Sequence, residues 1–140
     1  MKVPFHFQFP VERFIGVDGD TVHVVLDQGM GVFRETALRI IGIDTPELRD
    51  PVQHAAAVVA AAALKHAIEV LGSHGGLTCE TFRADKFGDR WDGDLFDRYG
   101  TEGRRVSSVM LAEGFAKSYV GGKRSWTAEE LAAIVNKCIG

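Results

Sequence analysis

The chain has 140 residues, of which 46% are hydrophobic and 25% are charged. This composition is typical of one globular domain and excludes an intrinsically disordered, collagen-like or coiled-coil protein. The formal net charge of −3 excludes a strong positive field over the whole surface, so a polyanionic partner would have to be bound by a local group of basic residues. Lysine and arginine outnumber acids between Arg98 and Arg124, but charge alone there indicates a solvated face.

The two cysteines, Cys79 and Cys138, lie far apart and belong to no Cys-x-x-Cys pair. We expect both to be reduced and structural. No long apolar run precedes Glu12 and Arg13, and we identify no apolar stretch elsewhere long enough to span a membrane. We therefore expect a cytoplasmic protein with no membrane partner. We also expect a monomer.

The N-terminal part of the chain predicts three consecutive strands. Pro10 in the first strand indicates an edge position or a bulge, and Asp18-Gly19-Asp20 supplies a turn before the second. A hairpin loop over residues 27–31 separates two segments rich in β-branched and apolar residues. The predicted strands cover residues 5–17, 21–26 and 32–43.

A long helix follows the third strand. Asp50-Pro51 is a favourable helix start, because Asp can cap free amides and Pro suits the first helical position. The helix should run to about Leu71 and end at Gly72. Its alanine-rich face would let the backbone approach a sheet closely.

The remainder of the chain predicts two strands followed by two helices. The predicted strands cover residues 77–84 and 94–99, with Asp92-Gly93-Asp94 as a turn, and the helices cover 106–113, ended by Gly114, and 127–138, capped by Thr127. Five strands, with a helix after the third and more helices after the fifth, predict an α+β fold built on a five-stranded OB-fold barrel. The whole chain is read as a single domain.

Acidic residues gather where the predicted strands end. Asp20 lies at the start of the second strand, whereas Asp44 and Glu47 lie at the end of the third, and a hairpin brings these two ends together. Clustered carboxylates repel one another unless a cation or donors lie among them, and oxygen ligands favour Ca²⁺ or Mg²⁺ over zinc. Arg39, on the same strand, adds a planar fork of donors suited to a phosphate.

Each of these features has an ordinary structural reading when taken alone. Asp18-Gly19-Asp20 is then a turn, Asp44-Thr45-Pro46 ends a strand, and Arg39 is a surface residue with a weak ion pair. The five histidines show no zinc-ligand spacing. The functional interpretation therefore depends on the coincidence of the acids and the arginine.

Three segments together resemble a known signature. They are Asp18-Gly19-Asp20-Thr21-Val22, Arg39-Ile40-Ile41-Gly42-Ile43-Asp44-Thr45-Pro46-Glu47, and Asp85-Lys86-Phe87-Gly88 followed by Arg90. In order and spacing they resemble the staphylococcal (micrococcal) nuclease, or thermonuclease, family, and the resemblance runs from about Arg13 to Tyr119. Members of that family have an SNase-like OB-fold and use Ca²⁺ to hydrolyse DNA and RNA phosphodiesters, leaving 3′-phosphates.

The resemblance implies a Ca²⁺-dependent nuclease with little sequence preference, and it implies a role for each matching residue. Asp20 and Asp44 would bind Ca²⁺ through their carboxylates, and Thr45 through its backbone carbonyl. Glu47 would be the general base, or the group that orders the attacking water. Arg39 and Arg90 would grip the scissile phosphate, and Lys86 and Tyr119 would contact the substrate.

The sequence also departs from the family pattern. Asp89 intervenes between Gly88 and Arg90, where the family has the arginine directly after the glycine, and Phe87 replaces a common tyrosine. The C-terminal segment differs as well, and there we expect only a packing role for Trp126. Two alternatives stay open: an OB-fold module that binds nucleic acid or a partner without turnover, and a carboxylate-metal phosphoesterase for small nucleotides.

Overall fold

A computed structural model describes residues 7–73, 75–84, 90–98, 104–119, 121–122 and 125–137. Ten elements follow one another in this part of the chain. They are β1 (Phe7–Asp18), β2 (Thr21–Asp27), β3 (Phe33–Ile40), β4 (Ile43–Asp44), α1 (His54–Gly72), β5 (Leu77–Ala84), β6 (Trp91–Asp97), α2 (Val106–Ala112), β7 (Lys117–Ser118) and α3 (Ala128–Val135).

Five of the strands close into a barrel in the order β1-β2-β3-β6-β5. The pairing of β3 with β6 is parallel, and the other neighbours, including β1 with β5, are antiparallel. Strands β4 and β7 form a separate two-stranded sheet. The predicted five-stranded barrel with helices is therefore confirmed as an OB-fold-like α+β architecture.

The β2–β3 hairpin shows how the sequence sets this register. Residues alternate between the core and the outside along both strands, so Val22, Val24 and Leu38 are fully buried. A slip by one residue would expose this apolar set, which fixes the register. Thr21 consequently pairs with Arg39, and Asp20 lies beside the end of β3.

Strand β1 is irregular in the way that Pro10 predicts. Its pairing with β2 shifts register between Val11 and Arg13, and again between Phe14 and Gly16. Such bulges increase the local twist of a strand. This twist lets one long strand pair with both β2 and β5, so the predicted bulge is confirmed.

The predicted third strand is divided in two, which corrects the expected continuous strand over residues 32–43. Gly42 has φ of 78°, a left-handed conformation that favours glycine, and it turns the chain out of the barrel. The two residues after it form β4, where Ile43 pairs with Ser118 and Asp44 with Lys117. The break therefore carries Asp44 away from the barrel strands and onto a C-terminal strand.

The expected turn at Asp92-Gly93-Asp94 is wrong, because all three residues lie inside β6. Gly93 pairs with both Ile40 and Thr81. A Cβ atom at Gly93 would lie 2.6 Å from the carbonyl oxygen of Glu80. The glycine thus serves close approach of two strands at the closure of the barrel.

Helix α1 begins later than expected, since its N-cap is Gln53 and not Asp50. The Asp50 carboxylate accepts hydrogen bonds from the Val52 amide (2.9 Å) and the Gln53 side-chain amide (3.1 Å), which caps a separate turn before the helix. The predicted end at Gly72 is confirmed. The buried face of the helix consists of Ala56, Ala57, Ala60, Ala63, Leu64, Ala67, Ile68 and Leu71.

By length and composition α1 could cross a membrane, with a mean hydropathy of 1.6. The expectation that no stretch is long enough was therefore wrong on these two criteria. However, the buried face of this helix packs into the barrel core, as expected for the core helix of a globular domain.

The two later helices are shorter than predicted but begin as expected. Helix α3 has a capping box, in which the Thr127 side chain accepts from the Glu130 amide and the Glu130 side chain accepts from the Thr127 amide. Cys79 is a buried free thiol, as predicted, whereas Cys138 lies outside the described residues. Burial, followed by the nearby Asp94 and Glu80 charges, raises the pKa of Cys79 to about 12.

Candidate functional site

A small pocket lies where β2 begins, β3 ends and α1 crosses the barrel. Asp20, Arg39 and Thr45 provide its polar lining, and Ile40, Ile43 and Leu64 provide its apolar lining. The cavity volume is about 10 Å³, which is close to the room that one water molecule requires. Three residues singled out from the sequence thus share one pocket.

Arg90, the residue before β6, contacts this pocket through Asp20. One terminal nitrogen of its guanidinium donates to Asp20 Oδ1 at 3.1 Å and to Thr21 Oγ1 at 2.9 Å. The Arg90 side chain is 17% exposed and that of Asp20 is 38% exposed. Asp89 itself lies outside the described residues, and Arg90 after it contacts the Asp20 carboxylate.

Arg39 contacts the ring of Tyr119. Its guanidinium carbon lies 5.5 Å from the centre of the Tyr119 ring, within the range of a cation–π contact. The Tyr119 amide donates to the Gly42 carbonyl at 3.0 Å, and its hydroxyl donates to the Gly122 carbonyl at 3.2 Å. Tyr119 is therefore next to the predicted phosphate-binding arginine.

Asp44 is more deeply buried than the other candidate acids, with 4% of its surface exposed. Its Oδ2 atom accepts a hydrogen bond of 3.0 Å from the indole nitrogen of Trp126. Asp44 directly precedes Thr45, which lines the pocket. The structure thus connects Trp126, for which the sequence predicts only packing, to a predicted cation ligand.

Glu47 follows the pocket on the segment that leads to α1, and its side chain is exposed. Its backbone amide donates to Gln53 Oε1 at 2.9 Å, which ties this segment to the start of the helix. An exposed carboxylate can contact solvent water. Lys86, with its predicted substrate contact, lies outside the described residues.

The donor set is chemically suited to a hard divalent cation, because Asp20, Asp44 and Thr45 offer only oxygen atoms. The described part of the chain contains no group of three or more His, Cys, Asp or Glu side chains arranged around a metal position. Two protein carboxylates would therefore have to be supplemented by carbonyl oxygens and waters, as is common for Ca²⁺. Arg39 in the same pocket, and Arg90 bonded to Asp20, suit an anion beside the cation.

A second group of buried acids lies elsewhere on the barrel. Asp94 accepts from the Leu95 and Ser107 amides and from the Ser107 hydroxyl, while Glu80 accepts from Arg105 at 3.0 Å. Burial raises the pKa of Asp94 against the lowering effect of these donors. This group satisfies the N-terminus of α2 and has a structural role.

Trp126 was expected only to pack and was not predicted as a site residue. A signal was present, since Trp126 directly precedes the Thr127–Glu130 capping box and is therefore fixed at the start of a helix. Nothing in the spacing indicates that this helix start faces Asp44, however, because 82 residues separate the indole from its acceptor.

No family model and no curated protein matches the sequence.

Proposed function

We propose that this protein is a Ca²⁺-dependent nuclease that hydrolyses phosphodiester bonds of DNA and RNA with little sequence preference. One observation carries the proposal: Asp20, Arg39 and Thr45 line one pocket, and Arg90, 70 residues after Asp20, donates to the Asp20 carboxylate. Groups of the kinds that bind a cation and a phosphate, drawn from separate parts of the sequence, thus meet at one place on the barrel.

The arginines would bind the scissile phosphate. Arg39 lines the pocket and its guanidinium is braced by the Tyr119 ring, so its donors are pre-oriented. Arg90 begins from an ion pair with Asp20 and would exchange this partner for a phosphate oxygen when substrate binds. Donors fixed before the reaction stabilise the charge that develops on the phosphoryl oxygens.

The attacking water would be activated by Glu47. Its exposed carboxylate would accept a proton while the water oxygen forms a bond to phosphorus and the bond to the 5′ oxygen breaks. The departing 5′ oxygen would take a proton from solvent water. The products are a 3′-phosphate and a 5′-hydroxyl. Positioned general bases typically accelerate such steps by roughly 10²–10⁴-fold.

Asp20, Asp44 and the Thr45 carbonyl would hold the cation. When bound, a divalent cation polarises a phosphoryl oxygen and lowers the pKa of a coordinated water. The position of Thr45 in the pocket and of Asp44 immediately before it fits this assignment.

A second candidate function is a nucleic-acid-binding module without turnover. It is favoured by the fact that both proposed ligand carboxylates already accept hydrogen bonds from protein groups, Asp20 from Arg90 and Asp44 from Trp126. A pocket satisfied in this way needs no cation for stability. The nuclease would cleave nucleic acid when Ca²⁺ is added, whereas the binding module would only bind it, with an affinity that depends on salt.

Cleavage of heat-denatured DNA and of RNA in millimolar Ca²⁺ tests the proposal, with chelation by EGTA and the Asp20→Ala variant as companions. The matched control is Asp18→Asn, which changes an exposed acid in the same turn. We expect cleavage by the wild type and by the control, and loss of cleavage with EGTA and in Asp20→Ala.

A folded wild-type protein that binds oligonucleotides but cleaves neither polymer in Ca²⁺ would overturn the nuclease proposal and support the binding module. Cleavage of a dinucleotide but not of long polymers would instead support a phosphoesterase for small nucleotides.

A further inference from the structure

The contact between Trp126 and Asp44 solves a physical problem. A carboxylate that is 4% exposed has lost most of its hydration, and burial of a charge without donors is strongly unfavourable. The indole nitrogen supplies a donor at 3.0 Å from Oδ2. A hydrogen bond to a charged acceptor contributes more than a neutral one and fixes the orientation of the acceptor.

Trp126 is itself firmly held. The ammonium of Lys117 lies 4.9 Å from the centre of the indole ring and donates to the Ser125 carbonyl at 2.8 Å. It also forms an ion pair of 2.9 Å with Glu130. The indole is thus held between a carboxylate at its nitrogen and an ammonium at its face.

The backbone around Trp126 is fixed by two further features. Thr127 and Glu130 form the capping box of α3, and Lys117 is the register partner of Asp44 in the β4–β7 sheet. We call residues 125–130, with the side chains described above, the C-terminal arm. The arm is joined to Asp44 both through the indole and through Lys117.

We propose that Trp126 is a positioning residue of the cation site, whose indole N–H orients the Asp44 carboxylate for coordination. This inference rests on the proposed function insofar as Asp44 is taken as a cation ligand. It extends that function by making the C-terminal arm part of the site. Partners of this kind, one step removed from the ion, restrict a ligand to its binding orientation before the ion arrives.

The test compares variants that change the donor, the ligand and an unrelated indole. Trp126→Phe keeps an aromatic ring but removes the N–H, whereas Asp44→Asn removes the ligand charge. Trp91→Phe is the matched control, since Trp91 contacts Arg34 and lies on β6. Calorimetric titration gives the Ca²⁺ affinity of each variant, and thermal unfolding in EGTA shows that each is folded.

Removal of such an outer partner typically weakens metal affinity by about 10–100-fold. We therefore expect Trp126→Phe to bind Ca²⁺ at least tenfold more weakly than the wild type, Asp44→Asn to lose binding, and Trp91→Phe to retain the wild-type affinity. A purely structural role for the ring would be preserved by phenylalanine.

Fluorescence provides a readout that does not depend on catalysis. In the Trp91→Phe background Trp126 is the only indole in the chain, since the sequence has two tryptophans. We expect Ca²⁺ to shift its emission, and the shift to disappear when Asp44→Asn is added. If Trp126 had only a structural role, its emission would not change with Ca²⁺ in a way that depends on the Asp44 carboxylate.

Three results would overturn the inference. An unchanged Ca²⁺ affinity in folded Trp126→Phe would mean that the indole does not assist coordination, and a tighter affinity would mean that it competes with the ion for Asp44. Absence of Ca²⁺ binding by the wild type would mean that Asp44 is not a cation ligand. Ca²⁺ binding weakened in Trp126→Phe, but without cleavage of any nucleic acid by the wild type, would sustain the positioning role while contradicting the nuclease.

Discussion

Two buried aspartates show how differently one fold can use the same side chain. Asp94 is 2% exposed and accepts from the Leu95 and Ser107 amides and the Ser107 hydroxyl, with Arg105 3.8 Å away. Asp44 is 4% exposed, and it accepts a hydrogen bond from the indole of Trp126 in the C-terminal arm. Burial is nearly equal, so burial does not separate a structural acid from a candidate ligand.

The nature of the partners does separate them. Asp94 is surrounded by donors from its own strand and the adjoining helix, which use both of its oxygens. Asp44 instead stands next to a pocket that also contains Asp20 and Arg39. A buried acid whose neighbours are polar groups from distant segments around a cavity is the better candidate for chemistry.

The largest expected effect concerns Arg39, which lines the pocket next to Asp44. Arg39→Ala should lower the rate of DNA cleavage by roughly 10²–10³-fold, because it removes a fixed donor for the developing phosphoryl charge. The control is Arg83→Ala, since the Arg83 side chain is 83% exposed and pairs with Asp92 on the barrel surface. Equal cleavage rates for the two variants would contradict the assignment of Arg39.

The next largest effect concerns Asp94, the structural aspartate. Asp94→Ala should lower the free energy of unfolding by roughly 3 kcal/mol, because it leaves buried donors and Arg105 without their acceptor. Urea denaturation measures this loss. Ser107→Ala removes only one of the donors and should cost about 1 kcal/mol. If Asp94→Ala lowers the free energy of unfolding by less than Ser107→Ala does, Asp94 does not have the structural role assigned to it.

The pH dependence of stability sharpens the same point. Because burial raises the pKa of Asp94 above its ordinary value of 3.8, protonation favours the folded state. Its contribution is fully present below that value and is lost as pH rises through the folded pKa. The free energy of unfolding of the wild type, measured relative to Asp94→Asn, should therefore fall with rising pH, and a rise would contradict this sign.

The smallest effect tests the C-terminal arm. Thr127→Ala removes the acceptor for the Glu130 amide and should lower the free energy of unfolding by about 1 kcal/mol. Thr127→Ser, which retains the hydroxyl, should have a much smaller effect. If both variants lose the same stability in thermal unfolding, the capping box does not hold the arm.

Much of the fold could be predicted from local pattern. The alternation in β2 and β3 and the alanine face of α1 predict elements, and their order predicts the closed barrel. The Asp92-Gly93-Asp94 turn was wrong because composition cannot distinguish a glycine that bends the chain from one that admits another strand. That distinction depends on Glu80, whose carbonyl approaches Gly93 from β5.

Some contacts of the candidate site could likewise be predicted from the sequence, and others could not. Asp20 and Arg39 could be brought together from sequence because they belong to one hairpin. The contact of Arg90 with Asp20 requires the barrel to close, and the contact of Trp126 with Asp44 requires α3 to dock. Neither has a periodic signal in the sequence, so only the structure identifies them.

The parallel pairing of β3 with β6 has a kinetic consequence. Leu38 pairs with Trp91 only after the chain has passed through α1 and β5, so this contact forms against a large loop-closure entropy. Contacts of high sequence separation slow folding, whereas a hairpin such as β2–β3 forms early. We expect the half of the pocket containing Asp20 and Arg39 to assemble first. Arg90 would then reach it only in the last cooperative step of folding.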